Sequence, residues 1–385
     1  MVDVVIAHPS LNRGGGAERV CLSFIEVLIN AGYRVKLVTL DKTDWKMLEG
    51  RFGEVSRPNE ETYFMSAISN LGMSSQAAIT ASFFPLTLLL LRHKRKSLLI
   101  NTYGDLVDCI ADLAYVNAIP IRLSYKVSFT FPQPSWQVFT RIYNGAPFWR
   151  FAYKSLLVAN SKFIQEVLLK KLRRNSIVVH PPVDVNIFMK NSHYRKKHED
   201  LIVAVARLRL GKRLDIIPKV ASLVKDAKFI LLTIADKASK TAMRRITALI
   251  KHFRVNDRVK LMVNQSFEDY LNVLSSASLY FHTQPSEAFG ISVVEAMASG
   301  CVPIVPCCGG PWTDILDRAQ GFYGYSYRNE TEAANLIKML LDDRSLRDRV
   351  ATRARTRALD FDKSIFGRKI LSVVNKVYRK KLSSS

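Results

Sequence analysis

The chain is short of several things at once. No apolar run reaches the ~20 residues that a bilayer-spanning helix requires. The opening Met1-Val-Asp-Val-Val-Ile-Ala7 has neither the basic region nor the small-residue cleavage site of a secretory leader. Cysteine is sparse, at positions 21, 109, 301, 307 and 308, an odd number without the paired spacing of a zinc site. A reducing, cytoplasmic setting is therefore expected. Gly14-Gly15-Gly16 lacks the G-x-G-x-x-G spacing of a dinucleotide fingerprint, and no Gly-Lys-Ser/Thr follows it, which excludes a phosphate loop of the NTPase kind. No Asp-x-Asp closes an apolar strand, so no site for a divalent cation on a diphosphate is expected. Acidic residues are also few, 33 against 57 Lys and Arg, a net charge of +24. An excess this large calls for an anionic partner: nucleic acid, anionic membrane or a phosphorylated substrate. Charge does not choose among them. With 385 residues, 48% of them hydrophobic, the chain is long and apolar enough for two folded domains.

What is present centres on His282–Leu316. Ala277–Phe281 reads as a buried strand, Ile291, Val294, Met297 and Ala298 recur at helical spacing, and Gly300 stands where a C-terminal cap belongs, before the next strand from Val302. This strand–loop–helix–strand puts the backbone amides of Phe289, Gly290 and Ile291 at a helix N-terminus, which favours an anion. Glu287 lies in the loop and Glu295 inside the helix. Carboxylates suit sugar hydroxyls rather than phosphate. Phosphate on the amides with hydroxyls on the two Glu residues describes a nucleotide sugar.

Glu287-x7-Glu295, with Phe-Gly-Ile after the first Glu and Gly-Gly-Pro beyond, resembles the donor-site signature of family 4 retaining glycosyltransferases of the GT-B fold. The wording from His282 to Leu316 is most similar to the dolichol-pathway lipid-linked oligosaccharide mannosyltransferases and their prokaryotic relatives. That resemblance implies that Glu287 contacts the transferred sugar, Glu295 the ribose hydroxyls, and the amides near Gly290 the diphosphate. It also implies retention at the anomeric carbon and makes GDP-mannose the leading donor.

Along the chain, Asp3–Ala7, a Gly loop, a helix to Asn30 and Tyr33–Leu40 open a doubly wound domain. In the resembled family the glycine turn, here Gly15 and Gly16, lies against the diphosphate; read alone it is equally an ordinary tight turn. Residues 79–96 join an apolar run to Arg92-His93-Lys94-Arg95-Lys96, which fits an interfacial helix or a core helix with a solvated basic end. Aromatics and cations are interleaved from Tyr125 to Tyr153, including Trp136, as suits a membrane interface, an acceptor groove, single-stranded nucleic acid or a core. Relatives carry a His within an aromatic–x–His–x–x–Pro string; here Tyr115-Val-Asn117-Ala-Ile-Pro120 has Asn117 in that place. Asn can bond a hydroxyl but cannot relay a proton, so Asn117 and Trp136 are acceptor-side candidates. No base is assigned to His8, His180 or His282.

A second βαβ start places Arg207 after the Leu201–Ala206 strand and Lys212 five residues on. Two cations at a strand's carboxyl end can neutralise a departing diphosphate. Arg213 stands where relatives usually have Gly. The expected architecture is α/β, two Rossmann-like doubly wound domains facing a cleft: 1–182 for the acceptor, a linker at 183–197, 198–360 for the donor, and 361–385 as a helix returning to the first. The expected activity is metal-independent, with no cofactor. It transfers a sugar from a nucleotide donor to a lipid-linked glycan, at the cytoplasmic face of an anionic membrane that holds the enzyme peripherally. Catalysis falls to Glu287, Arg207 and Lys212. A soluble polysaccharide glycosyltransferase shares the donor site, and a nucleic-acid-binding protein is favoured by charge alone.

Overall fold

Short runs of Val, Ile, Leu and Ala build two sheets. Strands covered on both faces must be apolar throughout rather than alternating, and β1 (Val4–Ala7) and β4 (Leu98–Asn101) are buried at every residue. The computed structural model describes residues 3–65, 86–94, 96–104, 110–119, 155–193, 197–236 and 239–383. The chain divides into two compact units, Met1–Pro182 with Ser364–Ser385, and Val183–Lys363. No helix among the described residues is long and apolar enough to cross a membrane.

In the first unit β1, β2 (Val35–Asp41), β3 (Glu60–Met65), β4, β5 (Leu113–Val116), β6 (Leu156–Ala159) and β7 (Ile177–Val178) pair in parallel in the order β3-β2-β1-β4-β5-β6-β7. Helix α1 (Gly16–Asn30) buries Val20, Cys21, Phe24, Ile25 and Leu28 against the sheet.

The second unit repeats the plan. Strands β8 (His198–Arg207), β9 (Lys228–Ile234), β10 (Val259–Val263), β11 (Ala277–Phe281), β12 (Val302–Pro306) and β13 (Tyr325–Tyr327) follow the order β10-β9-β8-β11-β12-β13, again parallel. In both units the order reverses beside the first strand, between β1 and β4 and between β8 and β11. Open α/β sheets bind ligands at the strand carboxyl ends at such a switch point.

The expected linker at 183–197 is not one. Residues Val185–His193 form helix α2, and Val183, Val185 and Phe188 are buried in the second unit's core. Phe188 meets Phe267 and Tyr270 of α3 (Phe267–Ser276) edge-on, at ring distances of 6.3 and 6.2 Å. Val185, Phe188 and the partly buried Met189 hold α2 to this core, too few to stand out from its polar and basic surroundings. Ser266 caps α3 through the Asp269 amide, as its sequence position implies. Helix α4 (Ile291–Ala298) packs its Val293, Val294, Met297 and Ala298 into the same core.

The final helix, α5 (Lys363–Leu382), does return to the first unit, where Phe366, Ile370, Val373 and Val374 are buried. Phe366 lies edge-on to Phe24 at 5.5 Å and to Tyr115 at 6.2 Å. The two ends of the second unit run side by side. Val183 pairs with Asp362 as a parallel bridge, and the Lys363 amide donates to the Val183 carbonyl at 2.8 Å.

Candidate active site

The switch point of the second unit brings the β8 and β11 loops together. After Arg207 the chain makes two short 3-10 turns, Leu210–Lys212 and Leu214–Ile216. After Phe281 it runs through Glu287 to Gly290, the residue that caps α4. Thr283 Oγ1 donates to the Lys212 carbonyl at 2.7 Å, and Lys212 Nζ reaches Glu287 Oε2 at 2.8 Å. One backbone clamp and one ion pair thus hold the two loops in register.

Lys212 and Glu287 keep 30% and 20% of their side chains exposed, so the pair is open to a ligand from one side. Burial alone would push the Glu287 carboxyl up. The Lys212 charge, the His282 ring and hydrogen bonds from Lys212 and the Ala288 amide outweigh it, and the carboxyl lies below its usual value. Glu287 is therefore an acceptor-only carboxylate at neutral pH. Arg207 stands half-buried at the end of β8, on the same sheet edge.

The loop leading into α4 is shaped from beneath by residues 308–311. Gly310 N–H donates to the Glu287 carbonyl at 2.8 Å, and the Ser286 amide donates to Cys308 Sγ at 3.4 Å. Gly290 has φ +98°, and a Cβ there would stand 3.0 Å from Pro311 Cγ. A Cβ on Gly310 would stand 2.3 Å from the Ala288 carbonyl oxygen. Close backbone contact of this kind is what the Gly309-Gly310 pair permits. The opening amides of α4, from Gly290 and Ile291, have no acceptor within the helix. Phe289 contributes backbone only, because its ring is 2% exposed and packs edge-on to Phe361 at 5.4 Å. Glu295 is 3% exposed and accepts from the Tyr270 hydroxyl of α3. The Tyr270–Glu295 bond joins residues on different helices, which no local sequence pattern announces.

His282, to which the sequence assigns no role, lies in this site. Its amide donates to the Ile304 carbonyl at 2.9 Å and its carbonyl accepts from the Tyr327 hydroxyl at 2.8 Å. Burial holds its pKa down at about 4, with Glu287 opposing that shift and Lys212 adding to it.

The first-unit candidates do something different. Gly15 N–H donates to Glu18 Oε2 at 2.7 Å, so this amide is taken by the helix's own carboxylate rather than offered to a phosphate. Gly16 is the first residue of α1. The Asn117 side-chain amide donates to the Thr102 carbonyl, and the Asn117 carbonyl accepts from Asn160 at 2.8 Å, which ties strand ends together. Trp136, and the aromatic stretch 125–153 with it, lies outside the described residues.

Residues 186–357 match the family model described as glycosyl transferases group 1. That match takes in nearly all of the second unit. The match begins within α2, consistent with that helix packing into the domain's core. Over 268 residues the chain is 24% identical to a GDP-Man:Man(3)GlcNAc(2)-PP-Dol alpha-1,2-mannosyltransferase of Dictyostelium discoideum, covering 65% of this chain and 52% of that one. It is 29% identical over 219 residues to the mouse (Mus musculus) protein of the same description, covering 53% and 44%. The chain spans about half the length of the curated relatives it matches. Among solved structures, Anabaena HepE in complex with UDP and glucose shares the fold with a TM-score of 0.72 at 19% identity, over 97% of this chain and 100% of that one. The GT-B fold and the family resemblance read from residues 282–316 are both borne out.

In the second unit Arg213 takes the left-handed conformation at φ +54°. The loop keeps its shape at the cost of strain that glycine would not carry. Arg213→Gly is expected to stabilise the domain by about 0.5 kcal/mol, the relief of strain being partly offset by a looser unfolded chain. Urea unfolding of the two proteins measures it; a less stable glycine variant would mean that Arg213 is held by contacts worth more than the strain.

Proposed function

We propose that this chain is a retaining, metal-independent mannosyltransferase that moves mannose from GDP-mannose to a lipid-linked glycan at the cytoplasmic face of a membrane. The observation that carries the proposal is the Lys212–Glu287 pair beside the open amide end of α4, at the switch point between β8 and β11. A diphosphate set on those amides would have Lys212 and Arg207 as its cations. Glu287 would accept hydroxyls of the transferred sugar, and Glu295, oriented by Tyr270, those of the ribose. The donor and acceptor named for the curated relatives support mannose and a lipid-linked glycan.

In the transfer the bond from the anomeric carbon to the diphosphate oxygen breaks, and a bond to the acceptor oxygen forms on the same face. The acceptor proton passes to the departing diphosphate. Lys212 and Arg207 act by holding the negative charge that grows on that leaving group, and the α4 amides act alongside them. Because these groups can carry the charge, activity is expected to be indifferent to EDTA.

A peripheral membrane contact is supported by residues 86–91, helical in the structure. Leu86 and Leu90 are buried, whereas Leu88 and Leu91 are exposed beside Arg92 and Lys94. Residues 79–85 of the expected interfacial helix lie outside the described residues.

The test is thermal shift with GDP-mannose, UDP-glucose and UDP-N-acetylglucosamine in EDTA, with Glu295→Ala as control. Stabilisation by GDP-mannose alone, absent from the variant, is the expected result. A preference for a UDP-sugar would overturn the mannose assignment, and dependence on a divalent cation the metal-free one. Flotation with anionic vesicles separates the lipid-linked reading from a soluble polysaccharide enzyme, which would not float.

A further inference from the structure

β11 delivers to the donor site a group that the proposed transfer does not use. His282 is 5% exposed, its backbone is fixed by Ile304 and Tyr327, and its ring lies nearly parallel to that of Tyr280, 6.3 Å away. It stands one residue before Thr283, whose hydroxyl donates to the Lys212 carbonyl at 2.7 Å, and the charges of Lys212 and Glu287 both bear on its ring. Its Nε2 is buried and has no hydrogen-bonding partner among the described residues. Two residues further on, Gln284 Oε1 is also buried with no partner among the described residues.

Burying a ring nitrogen without a partner is unfavourable, and the strand before it is apolar and aromatic, so packing alone would be served by Leu or Phe. We propose that His282 Nε2 is a direct contact for a hydroxyl of the transferred sugar, next to the hydroxyl taken by Glu287. This rests on the donor-site reading under the proposed function. A phosphate contact is disfavoured, since the ring is neutral at physiological pH and stands by the Glu287 carboxylate. A sugar hydroxyl both donates and accepts, so it satisfies either tautomer of a neutral imidazole.

The experiment is calorimetric titration of the full chain and of His282→Phe with GDP and GDP-mannose, with UDP and UDP-glucose alongside. His282→Phe keeps a ring of similar size and removes the hydrogen bond. GDP is expected to bind both proteins equally, while GDP-mannose binds the variant about five- to tenfold more weakly. The variant should unfold no earlier than the parent, because an unpartnered polar atom has been removed; if the Phe ring is not accommodated, His282→Leu serves instead. In the parent, the preference for sugar-bearing over bare nucleotide should be level from about pH 5.5 to 8, the range over which the ring stays neutral. Equal GDP-mannose binding by parent and variant overturns the proposal, and so does an equal loss of GDP and GDP-mannose. If the parent binds none of the four nucleotides, the donor-site reading itself is wrong and the contact falls with it.

Discussion

Gly310→Ala is expected to abolish donor binding and lower transfer at least about 100-fold, although residue 310 touches neither donor nor acceptor in the proposed arrangement. The added Cβ would lie 2.3 Å from the Ala288 carbonyl oxygen and 2.6 Å from Phe289 Cα. Both neighbours are backbone, so relief requires moving the loop that carries Glu287 and the first amides of α4. The Gly310 amide bond to the Glu287 carbonyl, 2.8 Å long, moves with it. A stability loss of about 3 kcal/mol accompanies such overpacking. Gly50→Ala is the matched control, lying inside the helix Trp45–Phe52 with nothing within 4 Å of its added Cβ. Helix propensity alone should make it neutral to slightly stabilising. Activity assays and urea unfolding on the pair decide the matter; a fully active Gly310→Ala protein would show that the 286–290 loop is not held by this contact.

Lys212→Met should lower kcat/KM by about 100- to 1000-fold, because a cation facing the leaving diphosphate is lost. The variant also leaves Glu287 without its ion-pair partner, which costs about 2 kcal/mol at neutral pH. The pH dependence follows from the sign of the Glu287 shift. In the parent the folded carboxyl lies below its ordinary value of 4.5, so it contributes stability that is present above that value and lost as the pH falls through the folded pKa. Without Lys212, burial, already the largest single influence, is opposed only by the His282 ring and the Ala288 amide, and the folded pKa is expected to rise above 4.5. Ionised Glu287 then opposes folding. The stability gap between parent and variant should therefore be small near about pH 4 and widen toward about pH 7. A gap constant across that range would show that the 2.8 Å ion pair does not govern the Glu287 charge.

The parts of the site that lie close together in sequence are legible without the structure. Arg207, Lys212, Glu287 and Glu295 each follow a recognisable strand or lie in a recognisable helix, and β8 and β11 place the first three on one sheet edge. What is not legible depends on contacts between distant segments. Tyr270 reaches Glu295 from another helix, and that His282 Nε2 lacks a partner among the described residues is a property of burial, not of spacing. The same holds for the fold. Apolar β1 and β4 announce themselves, whereas β3 reads Glu-Glu-Thr-Tyr-Phe-Met, polar enough for an edge strand to escape notice. Helix α2 reads as a linker because few of its residues are apolar, Val185, Phe188 and Met189 packing into the core among polar neighbours. Gly15 draws attention for its backbone freedom, while the Glu three residues on, at capping-box spacing, is what occupies its amide.

The split composition of the first unit has a consequence for how the chain is made. Its core needs Phe366 of α5 over Phe24 and Tyr115, yet α5 is synthesised only after the whole of Val183–Lys363. At ribosomal speeds that interval is on the order of ten seconds or more. The second unit is continuous, and its two ends are already stitched together at Val183 and Asp362. It can close as soon as it leaves the ribosome, while the unit begun first waits with an apolar face uncovered. The half of the chain that starts first is thus the last to finish, and that waiting interval is when nascent chains are most open to chaperones and to aggregation.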